Sequence, residues 1–289
     1  MHFKDISNLL VPQYLLITVI SPLAAFIVFS GSFPNLDMYL AMAAYTFVIF
    51  GFNSINMIYD EKIDSINKPN RPIVSGRITK NEAYAVALFF HTAALTTAYL
   101  ISVKIVILII ALQIATLLYT HPSTYFKKYF WSSSLFGAFF YAIIPTIIAL
   151  SIANVELKQY FYLIFISLLY AIIANSKDIE DTKGEAKFGI NSIPIIFGRE
   201  ATTLLIIFSV IILLIISLML AMFNNIEQMY LSPILFSLLF SIPFSFLLLK
   251  TLKKKKQDIP ITQSKVVNFC MIFAVITQLL FAFFAIKYV

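Results

Sequence analysis

The chain has 289 residues, of which 60% are hydrophobic and only 12% charged, with a mean hydropathy of +0.90. A soluble domain carries about 25% charged residues, so this composition excludes a soluble globular protein and indicates an all-α integral membrane protein. Seven glycines leave no Gly-rich nucleotide loop, and the net charge of +7 reads as membrane topology rather than as a nucleic-acid surface.

Nine apolar segments follow in chain order, at about 11–30, 38–58, 82–101, 104–121, 133–153, 159–176, 201–223, 230–250 and 266–287. None shows the period-two alternation of barrel strands, so helices are the expected spanning structure. The first segment lacks a strongly basic leader and a small-residue cleavage site, and is expected to be a retained helix. With nine spans and the N-terminus inside, 18 of the 21 Lys and Arg residues fall on the cytoplasmic side, and only Lys104, Lys158 and Lys287 fall outside. This asymmetry predicts a cytoplasmic N-terminus. It assigns the Lys253 to Lys256 run to topology and lipid contact. The expectation is one domain over residues 1–289, a bundle around a central cavity, in the cell membrane. Cys270, the single cysteine, lies in an apolar run and is expected to be a buried thiol.

Two polar stretches interrupt this pattern, at residues 53–80 and 175–199. In the first, Asn56, Asp60 and Asp64 are four residues apart, so that a helix would place them on one stripe. Two carboxylates and an amide oxygen are the hard-oxygen donors that Mg²⁺ prefers. Lys68 and Arg71 follow at once, stiffened by Pro69 and Pro72. In the second, Asp178, Asp181 and Glu185 share one helical face, beside Lys177. Acidic helix ends beside cations, both on the predicted cytoplasmic side, suggest a diphosphate held through metal. Tyr119, followed by Lys127 and Lys128, is an interfacial tyrosine or a further diphosphate contact. His2, His91 and His121 have no metal-ligand spacing.

The motif Asn56-x-x-x-Asp60-x-x-x-Asp64, its continuation NKPNRPIVSGRIT from Asn67 to Thr79, and the stretch Lys177 to Gly198 together resemble the UbiA superfamily of intramembrane prenyltransferases. Glu185 stands where that family usually has aspartate, keeping the charge on a longer arm. Met57 stands where many members carry a further aspartate, and Gln13 and Tyr14 stand where many carry an arginine.

The resemblance implies Mg²⁺-dependent transfer of a prenyl group from a prenyl diphosphate to a lipid-soluble acceptor. Asn56, Asp60, Asp64, Asp178, Asp181 and Glu185 would hold metal, and Lys68, Arg71, Lys177 and Tyr119 would hold the diphosphate. The branch most similar builds ether lipids from a geranylgeranyl donor and geranylgeranylglyceryl phosphate. A quinone-precursor ring such as 4-hydroxybenzoate is the competing acceptor. A transporter using the acids as an ion path, or a non-catalytic prenyl-lipid binder, remains open. The partners expected are the donor, the acceptor and membrane lipids, with no nucleic acid.

Overall fold

The structure, a computed structural model, describes residues 2–155, 160–223, 228–252 and 259–288. Lys158 and the Lys253 to Lys256 run lie outside the described residues. Among those described there are helices and turns but no strand. Among the described residues, seven helices are long and apolar enough to cross a membrane. Tyr160–Ser176 with Asp181–Lys187, a pair broken between its halves, would make an eighth. The third predicted segment is also a helix, Lys80–Tyr99, but His91, Thr92, Thr96 and Thr97 make it less apolar than the other spans.

The residues group into two compact units that interleave in sequence. Unit 1 comprises Met1–Val19, Pro34–Phe130 and Lys183–Asn191, and unit 2 comprises Ile20–Phe33, Trp131–Thr182 and Ser192–Val289.

Unit 1 starts with the short helix α1, Phe3–Leu10, and the first turns of α2, Leu15–Ser30. Its centre is α3, Leu36–Tyr59, capped by Asn35, whose side-chain oxygen accepts from the Met38 amide at 2.9 Å. Such a cap contributes about 1 kcal/mol. After the short α4, Glu61–Asn67, a loop leads to α5, Lys80–Tyr99, which opens with a capping box between Thr79 and Glu82. α6, Val103–Thr120, completes the set. α3 packs against both α5 and α6. Close approach to α5 depends on Gly51: a methyl group there would meet the His91 ring at 2.8 Å. In lipid, where apolar burial gives little drive, such small-residue contacts let helices associate.

Unit 2 contains α7, Ser132–Ala138. A π-helical turn at Phe139–Ile143 joins it to α8, Ile144–Ala153. Then come α9, Tyr160–Ile173, and α10, Asp178–Lys187, whose last turns belong to unit 1. The short α11, Ile193–Phe197, precedes α12, Arg199–Phe223, α13, Gln228–Leu252, and α14, Ile259–Tyr288. α12 packs on α13, α13 on α14, and α7 on α9. One buried polar cluster inside this unit is paired: Gln278 Oε1 accepts from Ser21 Oγ at 3.2 Å and from Tyr170 OH at 3.0 Å. Leaving them unpaired in an apolar interior would cost several kcal/mol, roughly 2–7 per group. Cys270 is the buried thiol expected.

Candidate active site

Asn56 lies in the last turn of α3, Asp60 joins α3 to α4, and Asp64 lies in α4. The helix is interrupted at Asp60, but backbone hydrogen bonds link the three positions across the junction. The Asp60 amide donates to Asn56 O at 2.9 Å, Asp64 to Asp60 O at 2.7 Å, and Lys68 to Asp64 O at 2.7 Å. Asn56 and Asp64 thus lie on two successive helices rather than on the one continuous helix expected, joined through Asp60. Asn56 Oδ1 accepts from Thr120 Oγ1 at 2.8 Å, which anchors the amide from the end of α6.

Each carboxylate meets a different cation. Asp64 is paired with Arg71 and Asp60 with Lys127. Arg71 was expected beside a phosphate; here it neutralises a carboxylate seven residues away. Lys127 was expected only as a neighbour of Tyr119, yet its ammonium is buried against Asp60. Nothing local marks this pairing, because 67 residues separate the two. Burial pushes the Asp64 carboxyl up to about 6; Arg71 opposes that shift and the charge of Asp60 adds to it. Lys68 is near enough to pull in the same direction as Arg71.

Tyr125, which sequence reasoning missed, is a candidate site residue by its neighbours. It takes a left-handed backbone conformation, φ 46°, in the turn after α6. The Lys127 Nζ stands 5.0 Å from its ring centroid. Burial, then the negative charges of Asp60 and Glu185, then Tyr119, push its phenol well above the ordinary value. Asp60, Glu185, Tyr119 and Tyr125 thus share one electrostatic neighbourhood. Tyr119 itself is buried, and its ring meets Phe52 edge-on at 6.2 Å. The only sequence signal for Tyr125 was its place two residues before Lys127.

The second acidic stretch is divided between the units. Glu185 and Gly184 belong to unit 1, where the Gly184 amide donates to Asn67 Oδ1 at 2.7 Å. Lys177, Asp178 and Asp181 belong to unit 2. Asp178 is buried, and the Lys177 ammonium lies 3.9 Å from it and 5.3 Å from the Phe136 ring centroid. Lys177 therefore leans towards Asp178 and an aromatic face.

The donor set suits Mg²⁺. Among the described residues no three His, Cys, Asp or Glu side chains form a closed metal cage. Mg²⁺ is usually held by one or two carboxylates together with substrate phosphates rather than by such a cage. Asn56, Asp60 and Asp64 offer that kind of partial oxygen shell.

Comparison with known proteins places this helical membrane fold among the intramembrane prenyltransferases. Residues 15–285 match the UbiA prenyltransferase family, and the chain belongs to that family; it is a multi-pass membrane protein. Its curated relatives include the digeranylgeranylglyceryl phosphate synthase of Methanococcus aeolicus, 29% identical over 229 residues, which are 78% of each chain. That of Methanosphaera stadtmanae is 29% identical over 180 residues, 62% of this chain and 64% of the relative. Among solved structures, one from a study of digeranylgeranylglyceryl phosphate synthase in membranes covers 98% of both chains at 27% identity, with a TM-score of 0.62. A UbiA homologue from Archaeoglobus fulgidus bound to DMAPP and Mg²⁺ shares the fold, with a TM-score of 0.68 at 18% identity over 99% of this chain and 100% of its own.

Proposed function

We propose that the protein transfers a geranylgeranyl group from geranylgeranyl diphosphate to the free hydroxyl of geranylgeranylglyceryl phosphate, with Mg²⁺, at the cytoplasmic face of the cell membrane. The observation that carries this reading is the Asn56, Asp60 and Asp64 set with Arg71 and Lys127 already against its carboxylates. The acceptor is inferred from the relatives, several of which are named digeranylgeranylglyceryl phosphate synthase. The same reading takes the chain as one transmembrane domain of nine spans around a central cavity, with its N-terminus cytoplasmic, as the distribution of Lys and Arg suggests.

The mechanism follows from charge. Asn56, Asp60 and Asp64 would hold one Mg²⁺, and Asp178, Asp181 and Glu185 another; the bound metal would draw charge from the diphosphate oxygens. Lys68, Arg71, Lys127 and Lys177 supply the fixed positive charge that stabilises diphosphate as the allylic carbon–oxygen bond breaks. Tyr119 donates its hydroxyl to the same anion. Apolar helices keep water from the allylic cation, and aromatic faces disperse its charge. The acceptor oxygen forms the new bond to that carbon and releases its proton.

The test is transfer from labelled geranylgeranyl diphosphate with Mg²⁺, offered geranylgeranylglyceryl phosphate or 4-hydroxybenzoate separately. Product with the glycerol lipid alone is expected. Transfer only to the ring would move the protein to the quinone-precursor branch. Intact diphosphate with both acceptors would favour a binding or transport role.

A further inference from the structure

Asp5 belongs to neither acidic motif, yet it is 7% exposed. A buried carboxylate is costly unless compensated. Its partner is Arg77, whose Nε donates to Asp5 Oδ1 at 2.7 Å. The same guanidinium donates through Nη2 to Asn70 O, also at 2.7 Å. One planar fork therefore joins α1 to the residue just before Arg71.

Both ends of this fork are anchored. On the α1 side, Leu9 is fully buried in an apolar cluster with Met57, Ile58, Ile73, Ile78 and Val86. Asn53 Nδ2 donates to Leu10 O at 2.8 Å, three residues before Asn56. On the loop side, the Arg71 amide donates to Lys68 O at 2.9 Å, and Ser75 Oγ donates to Arg71 O at 2.8 Å. The amides of Arg77 and Ile78 both donate to Pro72 O, at 2.9 and 3.1 Å. The loop is thus a closed hydrogen-bonded unit, and Arg77 fastens it to α1.

We propose that Asp5 and Arg77 are positioning residues, and that α1 acts as a strut fixing the loop that presents Lys68 and Arg71 to the diphosphate. The inference rests on the diphosphate reading above for its ligand, but its mechanical part does not. Arginine is required because a lysine keeps the charge without bridging two acceptors in one plane. A residue serving only as a cytoplasmic charge anchor would tolerate lysine.

The test uses the full chain in lipid nanodiscs. Hydrogen exchange of residues 70–78 is followed together with equilibrium binding of labelled geranylgeranyl diphosphate and Mg²⁺. Asp5→Asn and Arg77→Lys should each speed exchange in that segment about tenfold and weaken binding about tenfold, the scale of a lost charge-assisted hydrogen bond. The double variant should be no worse than either single one, because both break the same link. Asp5→Glu should recover most of the binding. Unchanged exchange in Asp5→Asn would overturn the strut, and faster exchange with unaltered binding would overturn its role in positioning. If the wild-type chain binds no diphosphate, the functional reading fails, while the exchange comparison still decides whether the strut exists.

Discussion

The Gly184 amide donates to the side-chain oxygen of Asn67 at 2.7 Å, across 117 residues of sequence. This bond ties the end of the first acidic stretch to the middle of the second. It requires close approach: a methyl group on Gly184 would lie 2.7 Å from Ile63 O and 2.7 Å from Asn67 Nδ2. Ile63 offers backbone there, which cannot swing aside. Gly184→Ala should therefore destabilise the protein by about 1–3 kcal/mol, as overpacking does, and displace the neighbouring Glu185. Asn67→Ala, which loses only the bond, should cost about 1 kcal/mol. Thermal unfolding in detergent measures both.

The Asp60 and Lys127 pair is buried on both sides, with side chains 11% and 8% exposed. Removing one partner leaves the other charge without its compensation, which typically costs about 3–5 kcal/mol. Asp60→Asn and Lys127→Met should each approach that loss, and the double variant should cost clearly less than their sum. Additive losses in a double-mutant cycle would show that the two groups are not coupled.

The elevated Asp64 carboxyl sets a pH dependence. Its folded value, about 6, lies above the ordinary 3.8, so the native state favours the protonated form. The metal-free protein should gain stability as pH falls through 6 towards 4, by up to about 3 kcal/mol, and lose it as pH rises back through 6. Mg²⁺ competes with that proton, so its affinity should fall below pH 6. Chemical denaturation with EDTA at pH 7.5 and 5.0 tests the first statement, and Asp64→Asn should flatten the slope.

Gly51 and His91 form a packing contact within unit 1. Gly51→Ala places a methyl group 2.8 Å from the imidazole and should cost about 1–3 kcal/mol. Combining it with His91→Ala should recover part of that loss, because the ring then vacates the space. Unfolding temperatures of the three variants decide the matter.

Asp181→Ala should abolish prenyl transfer while the protein remains folded in detergent. Near-wild-type turnover, measured alongside gel filtration, would remove the second acidic stretch from the reaction.

Much of this was legible from residue order alone. The i, i+4, i+8 spacing of Asn56, Asp60 and Asp64 is matched by backbone hydrogen bonds from Asp60 to Asn56 and from Asp64 to Asp60, across the break between α3 and α4. The apolar segments emerge as helices because a chain in lipid must satisfy its own backbone. The span count was less legible, since Lys80–Tyr99 is helical but interrupted by polar side chains. The capture of Asp60 by Lys127 left no periodic trace at all.

The sequence by itself determined the solvent the chain lives in, the spacing of its carboxylates and its family, because composition, local periodicity and motif spacing are properties of neighbours along the chain. Only the tertiary structure decided which partner each polar group meets. Lys127 goes to Asp60, Arg71 to Asp64, Gly184 to Asn67 and Arg77 to Asp5. Three of these four pairs join residues more than 60 positions apart. A buried charge takes whichever partner packing brings within reach, and packing is settled by the whole fold.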